Sequence, residues 1–121
     1  VEICQALATK YEIKRRSISD QEILKRCIYP LINEGIQILD EGIATRAGDC
    51  DLIWVNGYGF PAWRGGPLHY AEEIGLETVL AEMKNFQQQL GDYVRLWFKP
   101  AKLLEDLVES GASLSSYVPS R

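Results

Sequence analysis

The sequence predicts an all-α domain, and three observations carry that expectation. Between Ile23 and Leu39 the apolar residues recur mostly at steps of three and four, the period of one helix face and not of a strand. Helix punctuation is dense. Ser19 stands three residues before Glu22, prolines at 67 and 100 are placed to open helices, and glycines at 42, 75, 91 and 111 are placed to close them. Finally, no two segments offer each other a strand partner.

Residues 1–11 read as a short helix with Ile3, Ala6, Leu7 and Tyr11 on one side. Residues 12–18 form a basic connector. Ser19 and Glu22 then have the spacing of a capping box, in which the hydroxyl accepts from a first-turn amide and the glutamate reaches back. The long helix covers roughly residues 20–41, with Ile23, Leu24, Cys27, Ile28, Leu31, Ile32, Ile36 and Leu39 along its apolar stripe. Pro30 removes one intrahelical bond and predicts a kink without an end. Gly42 is the stop, and residues 43–48 are a loop.

Residues 49–56 fit either a short helix or a buried strand. Helix is the choice, because no partner strand exists and Asp49 and Asp51 suit a helix N-terminus. Residues 57–66 form a glycine-rich loop, and Pro67 opens a helix that stops at Gly75. Residues 76–90 make another, with Leu76, Val79, Leu80, Met83, Phe86 and Leu90 inward and Gly91 at its end. Tyr93 to Phe98 is a short apolar turn. Pro100 starts the last helix, with Leu103, Leu104, Leu107 and Val108 inward and Gly111 closing it. The expected organisation is one helical domain over residues 1–111 and a serine-rich, loosely held tail over 112–121.

The bulk numbers exclude several classes. The 121 residues suffice for one cored domain, and 46% apolar with 25% charged is ordinary globular composition. A net charge of −4 without a basic stripe argues against nucleic-acid binding. The one basic run, Lys14-Arg15-Arg16, reads as a solvated loop or as a contact with a phosphate or an acidic partner. No apolar run approaches the ~20 residues that span a bilayer. The start at Val1, with neither initiator methionine nor secretory pattern, resembles that of an excised fragment. Cys4, Cys27 and Cys50 have no metal-ligand spacing and read as small buried hydrophobes in a reducing compartment.

No motif supplies a complete active site. Gly57-Tyr58-Gly59-Phe60-Pro61-Ala62 matches G-x-G-x-x-A by letter, but no strand–turn–helix unit surrounds it, and Pro61 and Trp63 crowd the place of a phosphate. Arg64, before Gly65-Gly66, either holds an anion or ties the loop together, and the structural role is favoured. His69 is the only histidine. Glu72 and Glu73 are near it, but no nucleophile is. Asp49, Asp51, Glu72 and Glu73 are explained by helix ends and surface positions. Trp54, Phe60, Trp97 and Phe98 read as core or interface aromatics. Asn33-Glu34 lies mid-helix, where a buried pair needs partners on a facing element or a neighbouring domain.

Several of these stretches together resemble one family. Residues 26–35, Arg-Cys-Ile-Tyr-Pro-Leu-Ile-Asn-Glu-Gly, continuing to Gly42, are similar to the long helix in the C-terminal domain of NAD-dependent 3-hydroxyacyl-CoA dehydrogenases. Gly42-Ile43-Ala44, Asp49-Cys50-Asp51, Asn56-Gly57-Tyr58-Gly59-Phe60-Pro61 and Arg64-Gly65-Gly66-Pro67 extend the likeness over residues 19–110. The order resembles the second copy of that domain in multifunctional β-oxidation enzymes, which fuse an enoyl-CoA hydratase to the dehydrogenase.

The resemblance implies a 6-phosphogluconate dehydrogenase C-terminal-like helical fold. It implies that NAD binds in a separate domain, which also holds the catalytic His–Glu pair. The first copy in such enzymes adds an asparagine just before an arginine on the long helix. Here Lys25 precedes Arg26, so that asparagine is missing. The implied parent reaction is oxidation of 3-hydroxyacyl-CoA to 3-oxoacyl-CoA, in the cytoplasm, or in peroxisomes for a eukaryote. No catalytic, cofactor or metal-binding residue is expected on this chain, and its expected partners are the parent's other domains. The alternative is a free-standing dimerisation or adaptor module, whose exposed helix faces pair with another copy. A third reading gives Arg64 or Lys25 a minor contact with acyl-CoA.

Overall fold

The computed structural model describes residues 1–90 and 95–119. Among these the regular elements are helices: α1 (Glu2–Lys10), α2 (Asp20–Asp40), α3 (Ala47–Gly57), α4 (Pro67–Ile74), α5 (Leu76–Gln89) and α6 (Lys102–Ser110). Two short 3₁₀ turns, Ala62–Arg64 and Leu114–Ser116, complete the set. α2 is the central element, with α3, α4, α5 and α6 packed against it.

The signal at the start of α2 is half realised. The Ser19 hydroxyl accepts from the Glu22 amide at 3.2 Å. The Glu22 carboxylate does not reach back. It receives the Arg16 guanidinium, with Nη1 at 2.8 Å, and Arg26 Nη2 at 2.6 Å. Two cations within reach attract a carboxylate more strongly than one neutral amide does. α2 then runs through Pro30 to Asp40 and buries Tyr29, Ile32, Ile36 and Leu39. Its stop matches expectation. Gly42 takes φ +70°, its amide bonds Leu39 O at 3.1 Å, and Ile43 N bonds Ile38 O at 3.1 Å. That is the Schellman pattern, which needs a left-handed residue.

The core is one cluster. Ile32, Ile36, Leu68, Val79, Met83 and Leu104 are fully buried and come from four different helices. Each such side chain contributes about 1.5–3 kcal/mol by leaving water. Phe98 is buried against Phe86, ring centroids 5.3 Å apart. Asn33 is also buried and satisfied at both ends. Its amide donates to Lys99 O at 2.9 Å and its oxygen accepts from Ala101 N at 2.7 Å. That clamp places the segment leading into α6, which begins at Lys102 and not at Pro100.

The structure departs from the sequence reading at several points. α1 forms, but its expected inner face (Ile3, Leu7, Tyr11) is exposed, and it buries no residue. On α2, Ile23 and Leu24 are also exposed and Cys27 lies at the surface, so the apolar stripe is wider than the face this chain covers. Of the cysteines only Cys50 is buried, while Cys4 joins Cys27 outside. Residues 49–56 are helical, and the helix starts two residues earlier, at Ala47. Gly91 and Tyr93, read as a stop and the start of a turn, lie outside the described residues. Within the tail assigned to 112–121, Leu114 is 1% exposed in the core and Ser115 N donates to Glu72 at 3.0 Å.

Candidate functional site

The glycine loop follows the wrong end of a helix for binding a phosphate. Residues 57–60 continue from the C-terminus of α3, where the helix dipole is negative. The amides of Tyr58 and Phe60 both bond Trp54 O, at 3.2 and 3.0 Å, which caps the helix and uses donors a pyrophosphate would need. The residues that match a dinucleotide fingerprint therefore form a helix stop.

The start of α4 is the better anion site by geometry, and the chain fills it with Asp51. Asp51 is 7% exposed. One carboxylate oxygen accepts from Leu68 N at 2.7 Å, the other from His69 N at 3.1 Å. Both are free first-turn donors, so a carboxylate from α3 caps α4 across the fold. Gly66 makes this possible. Its φ is +119°, and a Cβ there would meet Asp51 Cβ at 2.3 Å. Burial raises the Asp51 pKa above its ordinary value, while the two amides pull it down and do not prevail. The sequence placed Asp51 at the N-terminus of its own helix. It serves a helix N-terminus, but that of α4.

Arg64 is held by stacking. Its guanidinium lies 4.3 Å from the Trp63 ring centroid and 4.9 Å from that of Tyr70, and Nη1 is 3.5 Å from Glu73. This is the structural role, achieved through rings and a carboxylate and not through loop carbonyls. His69 is exposed beside an open cleft of about 580 Å³ that Arg46, Asp49, Glu72 and Ser115 also line. The carboxylates that would orient its imidazole are engaged elsewhere, Glu72 with Ser115 and Glu73 with Arg64. Lys25, at the position where the first copy of the domain has an asparagine, donates to Glu82 at 2.5 Å, and that carboxylate raises its pKa. Asp49, bonded by Arg46 and Thr45, is held below the usual carboxylate range. Among the described residues no three His, Cys, Asp or Glu side chains group as metal ligands.

What the fold does assemble is an uncovered apolar surface. α3 carries large apolar residues on its outer side as well as the residues that face the body. Ala47, Cys50 and Asp51 face the body, while Leu52 and Ile53 on the other side are 62% and 59% exposed. Tyr58 and Trp63 in the following loop are exposed as well. Two neighbouring large apolar side chains left open on a helix beside an exposed Tyr and Trp form a patch that favours a covering partner. The sequence reading missed this surface, although the run Leu52-Ile53-Trp54-Val55 carries its signal: four apolar residues in one helical turn cannot all face one core.

Comparison with known proteins agrees with this picture. Residues 23–115 match the family model described as 3-hydroxyacyl-CoA dehydrogenase, C-terminal domain. The chain is 42% identical over 110 residues to the peroxisomal bifunctional enzyme of Danio rerio, covering 91% of the chain and 15% of that protein. It is 42% identical over 101 residues to the peroxisomal bifunctional enzyme of Homo sapiens, covering 84% of the chain and 14% of the relative. It is 34% identical over 105 residues to a peroxisomal fatty acid beta-oxidation multifunctional protein of Arabidopsis thaliana, covering 87% and 14%. The chain thus spans about a seventh of the length of these relatives. Matched over most of its length by the family model and by relatives above 30% identity, this chain belongs to the 3-hydroxyacyl-CoA dehydrogenase C-terminal domain family.

Proposed function

We propose that this domain is the second C-terminal helical domain of a multifunctional β-oxidation enzyme and that its work is to hold the other domains. It carries no catalytic, cofactor or metal-binding residue of its own. The parent oxidises 3-hydroxyacyl-CoA to 3-oxoacyl-CoA with NAD bound in another domain, and it works in the peroxisome, as the names of the relatives suggest. The observation that carries this reading is the outer side of α3, where Leu52 and Ile53 are covered by nothing among the described residues. Internal support comes from the candidate groups themselves: Asp51, Glu72, Glu73 and Lys25 are each engaged in holding the fold.

The test is direct. The purified chain mixed with NAD and 3-hydroxybutyryl-CoA is expected to give no NADH absorbance. Turnover by the chain alone would contradict the proposal. The exposed apolar faces also favour self-association of the isolated chain, and light scattering reads that: a dimer dispersed by Leu52→Ser is the expected result.

A further inference from the structure

The basic run of the connector plays no part in the scaffold role, yet it does not stand alone. Lys14, Arg15 and Arg16 line a cleft of about 560 Å³ together with Arg26 of α2. Among the described residues the cleft has four cations in its lining and no carboxylate, on a chain whose net charge is −4. Among the described residues Glu22 compensates part of this charge: both terminal nitrogens of Arg16 bond its carboxylate, and Arg26 bonds it too. Among the described residues Lys14 and Arg15 make no hydrogen bond or ion pair. Arg26 is only partly satisfied: Nη2 bonds Glu22, the guanidinium lies 5.6 Å from the Phe86 ring centroid, and the enclosed Nε has no acceptor among the described residues.

We propose that this cleft is a phosphate subsite, in which Lys14, Arg15, Arg16 and Arg26 receive the phosphate groups of a small anionic ligand. The volume is that of a small-molecule pocket. Guanidinium forks match phosphate oxygens two at a time, and the lysine adds a point charge. Ile13 and Ile18 lie on the same cleft and give an apolar surface for a base attached to the phosphates. A diphosphate or a nucleotide phosphate meets this description. The inference stands on the charges of this chain and does not need the scaffold reading.

The experiment is a titration of the isotope-labelled chain with inorganic pyrophosphate and, separately, with adenosine bisphosphate, read by backbone amide shifts. Saturable shifts confined to residues 13–18 and the start of α2 are expected, weakening as salt screens the charges. The double substitution Lys14→Gln/Arg15→Gln is expected to weaken binding about tenfold or more. Neither residue has a partner among the described residues, so an unchanged circular dichroism spectrum confirms that folding is not at issue. Tighter binding of the nucleotide supports the site and identifies a base-bearing ligand. Equal affinities support it and identify simple phosphate chemistry. Absence of saturation with both anions at low salt would overturn it. So would shifts that the double substitution leaves unchanged, or a glutamate-rich peptide that binds the cleft more tightly than either phosphate compound. A failed titration with no turnover in the NAD assay removes the subsite alone and leaves the scaffold role in place.

Discussion

Asp51 shows how a single side chain determines a junction between helices. Its carboxylate is the acceptor for the Leu68 and His69 amides at the start of α4. Asp51→Ala leaves both donors unpaired, at a cost of about 2–4 kcal/mol in urea unfolding. Asp51→Asn keeps one acceptor and is expected to cost about half as much. The pH dependence has a definite sign. Burial raises the Asp51 pKa, so its contribution to stability is fully present below the unfolded-state value and is lost as pH rises through the folded value. The stability gap between the wild type and Asp51→Asn should therefore narrow from acid toward neutral pH. A gap that widens would mean that the two amides and the α4 dipole outweigh burial. Gly66→Ala should match the aspartate loss in severity, because a methyl group there collides with the Asp51 side chain. None of this was legible in the sequence. Asp51 lies 15 positions before Gly66, and nothing in that spacing distinguishes a buried cap from a surface acid.

At the scale of elements the sequence was more readable. The three- and four-residue steps placed α2, α5 and α6, and glycines 42, 75 and 111 stand at the observed helix ends. Those signals are local, since period and left-handed stops depend on neighbours along the chain. Coverage is not local. Ile3, Leu7, Ile23 and Leu24 keep helical spacing yet lie exposed, because an apolar stripe says which side wants a partner and not where the partner is. The same limit applies to Cys4 and Cys27. At the other end of the chain, Leu114 fills the core from the segment read as a loose tail. Leu114→Ala should cost about 2–5 kcal/mol, as for a buried leucine in a tight core. Chains ending at Gly111 should melt at lower temperature than the full chain. Asn33→Ala should cost about 1–3 kcal/mol, because Ala101 N and Lys99 O both lose their partner. Hydrogen exchange should then rise first at the start of α6.

For the whole molecule, the balance of covered and uncovered surface decides the reading. The core closes around α2, while α1, the outer side of α3 and the loop bearing Trp63 remain open. In the relatives, where the matching stretch is about a seventh of the length, further polypeptide is available to cover such surfaces. Leu52→Ser with Ile53→Ser removes apolar surface without touching the core, so the unfolding free energy should change by no more than about 0.5 kcal/mol per site. Association is where the effect belongs. The most direct measurement is sedimentation of this chain mixed with the separately expressed remainder of the full-length enzyme. The scaffold account predicts a one-to-one complex that Leu52→Ser/Ile53→Ser dissolves while the isolated chain stays folded. Two species sedimenting independently, or a complex indifferent to both substitutions, would contradict it.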